Sequence, residues 1–428
     1  MEIIVNPQRE IWKSLCRRAE SDDAIIGGRV RNILARVREG GDAALRAITS
    51  EVEGRSVDDF RVGAEEIAAA RNEVGDRLKK AIEAAAANIR AFHSAQKTAP
   101  VSLETVSGVR CMRRSLPIDS VGLYIPGGSA PLFSTLLMLA LPAKIAGCRR
   151  IVLCTPAGKD GKIAPAVLYA ADFCGVDCIY SLGGAQAIAA LAYGTETIAP
   201  VSKIFGPGNR YVTKAKQMVS AEGVAIDMPA GPSEVMVLCD GSANPRFVAS
   251  DLLSQAEHGG DSQAMLVCLS REFALEVRDE VERQRSLLPR AGIVDKALEN
   301  SRLIVLEARS DAIDFANLYA SEHLIIAMED PWEAAGRITA AGSVFIGNYS
   351  PESAGDYASG TNHTLPTMGL AKAYSGIGLD SFMHSITYQE LSREGLSLLG
   401  GTIITMAEAE GLDAHAAAVK YRLQDGRN

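Results

Sequence analysis

The chain lacks several features that mark whole classes of protein. Aromatic residues make up only 5% of its 428 residues. No apolar run is long enough to span a bilayer, since the most apolar stretch, residues 131–146, contains Pro142 and Lys144. No block of Lys or Arg suggests a nucleic-acid or anionic-membrane partner. The N-terminus also lacks a basic and apolar leader, so we expect a cytoplasmic protein.

Cysteine is present eight times but never as a C-x-x-C pair. Several cysteines, such as Cys154 and Cys268, lie in apolar runs of the kind that form strands. We therefore expect buried, reduced thiols and a reducing compartment, with a metal–thiolate site as a minor alternative. The net charge of −8 predicts a mildly acidic surface.

The abundant residues favour an α/β fold. Hydrophobic residues account for 47% of the chain, enough for a sizeable core. From Val121 onward, short β-branched runs alternate with Ala-rich helical stretches, which predicts parallel sheets covered by helices. The nine candidate strands are VGLYIPG, RIVLCTP, VDCIYSLG, KIFGPG, EVMVLCD, AMLVCLS, RLIVLE, HLIIAM and SVFIG. Their number favours two lobes, with a boundary near Gly231.

The segments outside this alternation are predicted to form an arm and helices. Residues 1–20 read as a short N-terminal arm. Apolar spacing predicts one helix over residues 24–50, broken at Gly40–Gly41, and a second over residues 76–96. After about residue 380 the pattern becomes helical again.

Three Gly-rich junctions could bind a nucleotide. Each follows a predicted strand and exposes backbone amides before a helix, where α/β folds bind anions. The junctions are Tyr124–Ser129, Leu182–Gln186 and Phe205–Asn209. None is a G-x-G-x-x-G fingerprint, and tight turns without a ligand explain the same glycines equally well.

Histidine occurs only six times, yet four histidines lie in polar segments after residue 250. The four are His258, His323, His363 and His415. Gln255 and His258 are three residues apart on a predicted helix, Pro245–His258, and could bind one cation. A helix C-terminus capped by Gly259 would show the same residues without a metal.

Two further segments carry acid–base groups. Asp356 and His363 fall in a predicted long polar loop, and such loops are usually functional. Glu322 and His323 precede a predicted strand, and a His can take a proton near neutral pH while a Glu activates water. Both can face one substrate only from the turn before the strand, at an edge where parallel sheets do not usually bind ligands.

The C-terminal region contributes His415, with Glu410 five residues earlier, although a solvated helix face is the plainer interpretation of Glu410. Gln255, His258, Asp356 and His415 together offer oxygen and nitrogen ligands without a thiolate. Such a set suits Zn²⁺ or a similar borderline divalent ion.

At these residues the sequence resembles the histidinol dehydrogenases. The resemblance covers about residues 120–420, in the order and spacing of the family, whereas the first 100 residues match only in general texture. The matching segments are VGLYIPGG, GGAQAIAALAYGT, KIFGPGN, IDMPAGPSE, DLLSQAEHG, SEHL, PESAGDYASGTNHTLPT and AEAEGLDAH.

The resemblance implies an α/β homodimer whose subunits share active sites. It implies two incomplete Rossmann-like domains, a short N-terminal arm and a mainly helical C-terminal domain that reaches the partner subunit. The expected division is an arm at 1–20, a first α/β domain at 21–120 plus 233–377, an NAD-binding domain at 121–232 and a C-terminal domain at 378–428.

The resemblance also implies an activity, the two NAD⁺-dependent oxidations that convert L-histidinol through L-histidinal to L-histidine, with one Zn²⁺ per subunit. Glu322 and His323 match the family's acid–base pair. The matching metal ligands, which also contact the substrate, are Gln255, His258, Asp356 and His415. The other matching substrate contacts are Ser233, His323, His363 and Glu410, and the matching NAD⁺ contacts are Tyr124, Gln186 and Asn209.

Three other functions remain open from the sequence. Another small polar alcohol could be the substrate, although Ser233, His363 and Glu410 all fit histidinol. A Zn²⁺ hydrolase with Glu322 activating water would explain the metal ligands but would leave the Gly-rich lobe unused. A non-catalytic binding protein would not need both acid–base residues.

Overall fold

The computed structural model describes residues 1–18, 23–127, 131–158, 160–229 and 231–424. The predicted boundary between residues 20 and 21 lies outside these ranges, as do Gly128 and Ser129 of the first Gly-rich junction. The chain forms two compact units. Unit 1 contains Met1–Ala95 and Ile118–Phe382, and unit 2 contains Gln96–Pro117 and Met383–Asn428.

Helices cover about half of the chain. The described α-helices are α1 Arg9–Leu15, α2 Asp23–Glu53, α3 Ala64–Glu73, α4 Asp76–Ser94, α5 Phe133–Ala146, α6 Pro165–Cys174, α7 Gly184–Tyr193, α8 Arg210–Ala221, α9 Pro245–Ala256, α10 Arg271–Arg285, α11 Ala291–Glu299, α12 Arg309–Tyr319, α13 Pro331–Ala335, α14 Glu352–Tyr357, α15 Arg393–Ala409 and α16 Asp413–Gln424. Short 3₁₀ turns occupy Leu370–Lys372 and Leu379–Phe382. The predicted break in the first long helix is confirmed, because α2 has a non-helical residue at Gly41 (φ 49°).

The strands form three sheets. The described strands are β1 Glu2–Val5, β2 Val101–Val106, β3 Val109–Pro117, β4 Ser120–Tyr124, β5 Arg150–Thr155, β6 Cys178–Ser181, β7 Lys203–Phe205, β8 Ala225–Ile226, β9 Glu234–Cys239, β10 Gln263–Cys268, β11 Arg302–Val305, β12 His323–Ala327, β13 Ser343–Ile346 and β14 Met383–Leu391. The nine predicted strands are confirmed as β4 to β7 and β9 to β13.

Two parallel sheets in unit 1 repeat one topology. The first has the order β6-β5-β4-β7-β8, and the second has the order β11-β10-β9-β12-β13 with β1 added beside β11. Counted along the chain, each set of five strands has the order 3-2-1-4-5, which is a Rossmann order without its sixth strand. The α/β fold with parallel sheets is thus confirmed, and no residue-level repeat accompanies the topological one.

The N-terminal segment is more than an arm. Its strand β1 pairs in parallel with β11, with Glu2 opposite Arg302 and Val5 opposite Val305. The segment predicted as an arm over residues 1–20 therefore begins with a strand of the six-stranded sheet. Four residues are too short a run to show a strand from sequence, and the pairing partner lies about 300 residues away.

The core fills the space between each sheet and its helices. Strands β4, β9 and β10 are buried along their whole length, as expected for central strands covered on both faces. Helices α4, α5 and α6 pack on one face of the first sheet, and α2, α7 and α8 pack on the other. Among the described helices, none combines the length and apolarity needed to cross a membrane.

Unit 2 is a small antiparallel sheet with two helices. Strand β3 lies between β14 and β2, and α15 packs against α16. Strand β14 falls within the segment predicted to be mainly helical, and Gln96–Pro117 joins unit 2 although we had assigned it to the first α/β domain. The finer division into four domains stays a prediction.

Candidate active site

Two neighbouring strands bring the predicted acid–base pair, Glu322 and His323, to one edge of the six-stranded sheet. In the β9–β12 register His323 lies opposite Val235, so Glu322 and Ser233 both lie at the amino ends of their strands. The Glu322 carboxylate accepts a hydrogen bond from the backbone N–H of Glu234 at 2.9 Å. Its other near neighbour is His323, whose Nδ1 lies 3.8 Å from Glu322 Oε2. The two adjacent side chains therefore meet, because Glu322 lies in the turn before the strand.

Helix α9 returns the next two candidates to the same edge. Gln255 lies in its last turn, fully buried, with neither side-chain polar atom hydrogen-bonded to a described residue. The helix ends at Ala256, so His258 lies in the following turn rather than on the predicted helix, and its side chain is exposed. Its backbone N–H still bonds to the Gln255 carbonyl at 3.2 Å, which keeps the two residues together.

Asp356 lies on a helix, which corrects the prediction of a long loop. Helix α14 presents Glu352 and Asp356 on one face, four residues apart. Glu352, Asp356 and His258 each offer one ligand atom, and these atoms all lie within 4.8 Å of one another. Asp356 Oδ1 also lies 3.5 Å from His323 Nε2. The structure thus joins the predicted metal ligands to the predicted acid–base pair.

His363 follows α14 and turns back toward it. Its Nδ1 lies 3.0 Å from the backbone carbonyl of Asp356, and its Nε2 lies 2.9 Å from the Thr135 hydroxyl. Since a carbonyl can only accept, Nδ1 carries the proton and Nε2 accepts from Thr135. Burial lowers the pKa of His363, which agrees with this neutral form.

The site brings three buried carboxyl groups around one imidazole. Burial raises the pKa of Glu322 and of Glu352 to about 8. Burial disfavours the charged form of His323, but Glu322, Glu352 and Asp356 outweigh it and raise the pKa of the imidazole to about 10. A bound cation would favour the ionised form of these carboxyl groups.

The residues present fit a divalent metal ion. Gln255, Asp356 and His258 supply amide oxygen, carboxylate and imidazole, a set that borderline ions such as Zn²⁺ accept. The buried side-chain amide of Gln255 has no hydrogen-bond partner among the described residues, and a metal ligand would have this property in the absence of its ion. The cysteines are free thiols, six of them buried, and none belongs to this cluster of described residues.

Two predicted site residues lie in unit 2, whereas the cluster belongs to unit 1. His415 and Glu410 belong to unit 2, where both side chains are exposed. Glu410 caps the C-terminus of α15 and is the first of the three residues before α16, in which His415 is the third residue. Their predicted roles as metal ligand and substrate contact stay predictions.

The three Gly-rich junctions converge at the carboxyl edge of the five-stranded sheet. The strand order reverses between β4 and β7, and such a switch point is where α/β sheets bind nucleotides. The Tyr124 hydroxyl accepts from the Gly184 N–H at 3.1 Å, which joins the first junction to the second. Gly206 (φ 122°) approaches Tyr124 so closely that a Cβ would overlap the Tyr124 carbonyl, which joins the third.

The side chains predicted to contact NAD⁺ have internal partners here. Asn209 caps α8 by accepting from the N–H groups of Tyr211 and Val212. Gln186 is buried and donates to Glu53 at 3.4 Å. These bonds hold the junctions in shape, and the direct contacts to a nucleotide stay predictions.

Comparison with known proteins identifies the family. The sequence profile of histidinol dehydrogenase matches residues 16–423. The chain is 55% identical to histidinol dehydrogenase from Bacteroides fragilis, over the whole of both chains, and 53% identical to that from Escherichia coli K12, over 96% and 94% of the two. The crystal structure of histidinol dehydrogenase from Elizabethkingia anophelis is 50% identical, with a TM-score of 0.97 over 99% of this chain and 98% of that one.

The chain belongs to the histidinol dehydrogenase family. The resemblance inferred from the sequence motifs is thereby confirmed, and the chain is an oxidoreductase, a dehydrogenase of histidine biosynthesis. The structural similarity to the Elizabethkingia anophelis enzyme covers 99% of this chain, so it extends into the first 100 residues, which lack the specific motifs.

Sequence reasoning missed two residues of the cluster. Glu352 lies in the recognised PESAGD segment, but treating this segment as a loop hid its spacing of four from Asp356. Thr135 lies in an apolar helix far from the histidines in sequence, and nothing in the local pattern signalled its contact with His363.

Proposed function

We propose that this protein oxidises L-histidinol through L-histidinal to L-histidine, with NAD⁺ as oxidant and one Zn²⁺ per subunit. One observation carries the proposal. In a member of the histidinol dehydrogenase family, Glu322 and His323 are buried beside His258, Glu352 and Asp356, which could hold a metal ion, and this arrangement supports the proposed roles.

The proposed metal ligands are Gln255, His258, Asp356 and His415. These residues would hold Zn²⁺, which would supply a positive charge that orients the substrate and offsets the carboxylates that raise the pKa of His323. Ser233 and His363 contact the substrate from the strand edge and from the loop after α14. Glu410 recognises the imidazole end.

His323 and Glu322 move the protons. His323 takes the proton of the substrate hydroxyl in the first oxidation. Glu322 then deprotonates the water that adds to the aldehyde, and the hydrate is oxidised to the carboxylate. NAD⁺, when bound, accepts one hydride in each oxidation. Burial of Glu322 and His323, both less than a tenth exposed, excludes bulk water and protects the aldehyde between steps.

We infer that NAD⁺ binds at the switch point between β4 and β7, against Tyr124, Gln186 and Asn209. The convergence of three Gly-rich turns there supports this position, because glycine allows a phosphate to approach the backbone.

We further propose a homodimer in which the partner subunit supplies His415 and Glu410. A mixture of His415→Ala and His258→Ala subunits tests this arrangement, since each parent dimer lacks a ligand in both sites. Mixed dimers have one intact site, so remixing should restore a quarter to a half of the activity, roughly, if sites act independently. Recovery at the level of the separate parents would contradict shared sites.

The substrate and cofactors are tested together on the purified protein. Metal-loaded protein should form NADH from L-histidinol and NAD⁺, lose this activity on chelation, and regain it with Zn²⁺. If another amino alcohol in a substrate panel were turned over faster than L-histidinol, that alcohol would replace L-histidinol as the proposed substrate. A hydrolase would be indicated by two results together: calorimetry shows no heat of NAD⁺ binding, and the protein hydrolyses an amide or ester.

A further inference from the structure

Glu352 is a buried carboxylate without a partner. Its side chain is 1% exposed at the start of α14, and neither oxygen forms a hydrogen bond to a described residue. Burying a charged or polar group without a hydrogen bond is strongly unfavourable. A substitution that removed the carboxylate would relieve this penalty, so its presence points to a function.

His323 is the nearest residue that can use this carboxylate. Its Nδ1 lies 4.0 Å from Glu352 Oε1 and 3.8 Å from Glu322 Oε2. Glu322 Oε2 already accepts from the Glu234 backbone, whereas Glu352 is unengaged. A closure of about 1 Å would bring Nδ1 within hydrogen-bond distance of Glu352, near 3 Å.

The opposite ring nitrogen faces the proposed reaction centre. Nε2 of His323 lies 3.5 Å from Asp356 Oδ1, on the side where the metal-ligand candidates converge. Phe345 lies beside the imidazole, with ring centres 5.9 Å apart, but offers it no acceptor. The ring orientation is therefore determined by what Nδ1 binds.

We propose that Glu352 is a positioning residue for His323. It accepts a hydrogen bond from Nδ1–H, which fixes the tautomer with a free lone pair on Nε2 and aims that nitrogen at the substrate hydroxyl. The proposal rests on the proposed role of His323 as proton acceptor. Glu352 itself touches neither the substrate nor the transferred hydride.

The same residue could instead ligate the metal, because it lies within 4.8 Å of His258 and Asp356 ligand atoms. The two roles predict different effects of a Glu352 substitution on metal binding. A positioning residue can be replaced without loss of bound metal, whereas removal of a ligand lowers metal content or affinity.

The first experiment measures kinetics and metal content of Glu352→Met and Glu352→Gln holoenzymes. For Glu352→Met we expect kcat for L-histidinol to fall about 10- to 100-fold, the range for residues that orient catalytic groups, with KM and Zn²⁺ per subunit unchanged. Glu352→Gln, whose amide oxygen can still accept from Nδ1–H, should lose less. Unchanged kcat would overturn the proposal, and loss of Zn²⁺ would make Glu352 a ligand instead. Glu299→Met, on the surface, is the matched control.

The second experiment reads the tautomer without relying on activity. Only six histidines are present, so ¹⁵N-histidine labelling gives few ring signals, and His323→Gln assigns the relevant one. We expect the proton on Nδ1 in the wild-type holoenzyme and a loss of this preference in Glu352→Met. The same tautomer in both proteins would refute the positioning role, even if the enzyme proved to act on another alcohol.

The third measurement separates function from structure. Because Glu352 has no partner, Glu352→Met should raise the thermal midpoint of the metal-free protein relative to the wild type. A residue kept for stability would lower it. A lower midpoint together with unchanged kcat would show that Glu352 is structural.

Discussion

Replacing Arg18 should destabilise the domain that carries the active site. Arg18 Nη2 and Nε lie 2.5 Å and 3.1 Å from Glu234 Oε2. The Glu234 side chain is 1% exposed and that of Arg18 is 10% exposed. The guanidinium also lies 3.7 Å from the centre of the Tyr319 ring and donates to the Tyr319 carbonyl at 2.8 Å. Arg18→Met would leave the Glu234 carboxylate buried without its cation.

The magnitude follows from this burial. Removing one member of a buried ion pair costs about 3–5 kcal/mol. For a unit as large as unit 1, about 1 kcal/mol shifts the thermal midpoint by about 1–2 °C, so the midpoint should fall by about 3–10 °C. Burial already raises the pKa of Glu234, and Arg18 opposes that rise, so the variant carboxyl should take up a proton and limit the loss.

Two further variants complete this test by scanning calorimetry. Arg18→Met/Glu234→Gln removes both charges and should be less destabilised than Arg18→Met. Arg9→Met removes an exposed ion pair with Asp311 and should leave the midpoint unchanged within error. An Arg18→Met midpoint equal to that of Arg9→Met would refute the claim that the buried Arg18–Glu234 pair stabilises this domain.

Three other predictions concern the turns, the histidines and the metal. Gly206→Ala should destabilise the protein more than Gly223→Ala in denaturant melts, because both have positive φ but only the former meets the Tyr124 carbonyl; equal effects would reject the close approach. Burial lowers the pKa of His93, so the stability that its neutral form contributes is fully present above the unfolded pKa near 6.5 and is lost as pH falls. The free energy of unfolding of His93→Met should therefore decrease less than that of the wild type between pH 7.5 and 5. Parallel curves of unfolding free energy against pH would contradict this. His258→Ala should bind less than one Zn²⁺ per subunit by elemental analysis, and full occupancy would remove His258 from the ligands.

The strands of unit 1 could be predicted from sequence because they are buried on both faces. A run such as Glu234–Cys239 is continuously apolar after its first residue, and its neighbours in the sheet have the same pattern. Strand β1 could not be predicted in this way, because its four residues are too few to show a pattern and they pair with β11, about 300 residues later in the sequence.

The candidate site residues could be predicted from sequence motifs, but the helix that carries Asp356 and the neighbouring residue Glu352 could not. Helix α14 contains Ser353 and Gly355, which are weak helix formers, so its sequence reads as a loop. Gly355 is required there because a Cβ would contact the Phe345 ring, a tertiary constraint with no local signal. For the same reason Glu352 was overlooked although Asp356, one turn later, was not.

The position of the site is explained by register rather than by the usual rule. Ligands of open α/β sheets bind at the carboxyl edge, yet Glu322 and His323 lie at the amino end of β12. Helix α9 runs back toward that edge and ends beside it, which brings Gln255 and His258 to the acid–base pair. The five-stranded sheet keeps the usual arrangement, with its Gly-rich turns at the carboxyl edge.

The ratio of NADH to histidine tests the central claim most directly. Metal-loaded protein is given limiting L-histidinol with excess NAD⁺, and NADH absorbance and histidine are both measured at completion. The account predicts two NADH for each histidine formed, without free histidinal. One NADH per substrate with accumulation of the aldehyde, or no NADH at all, would contradict it.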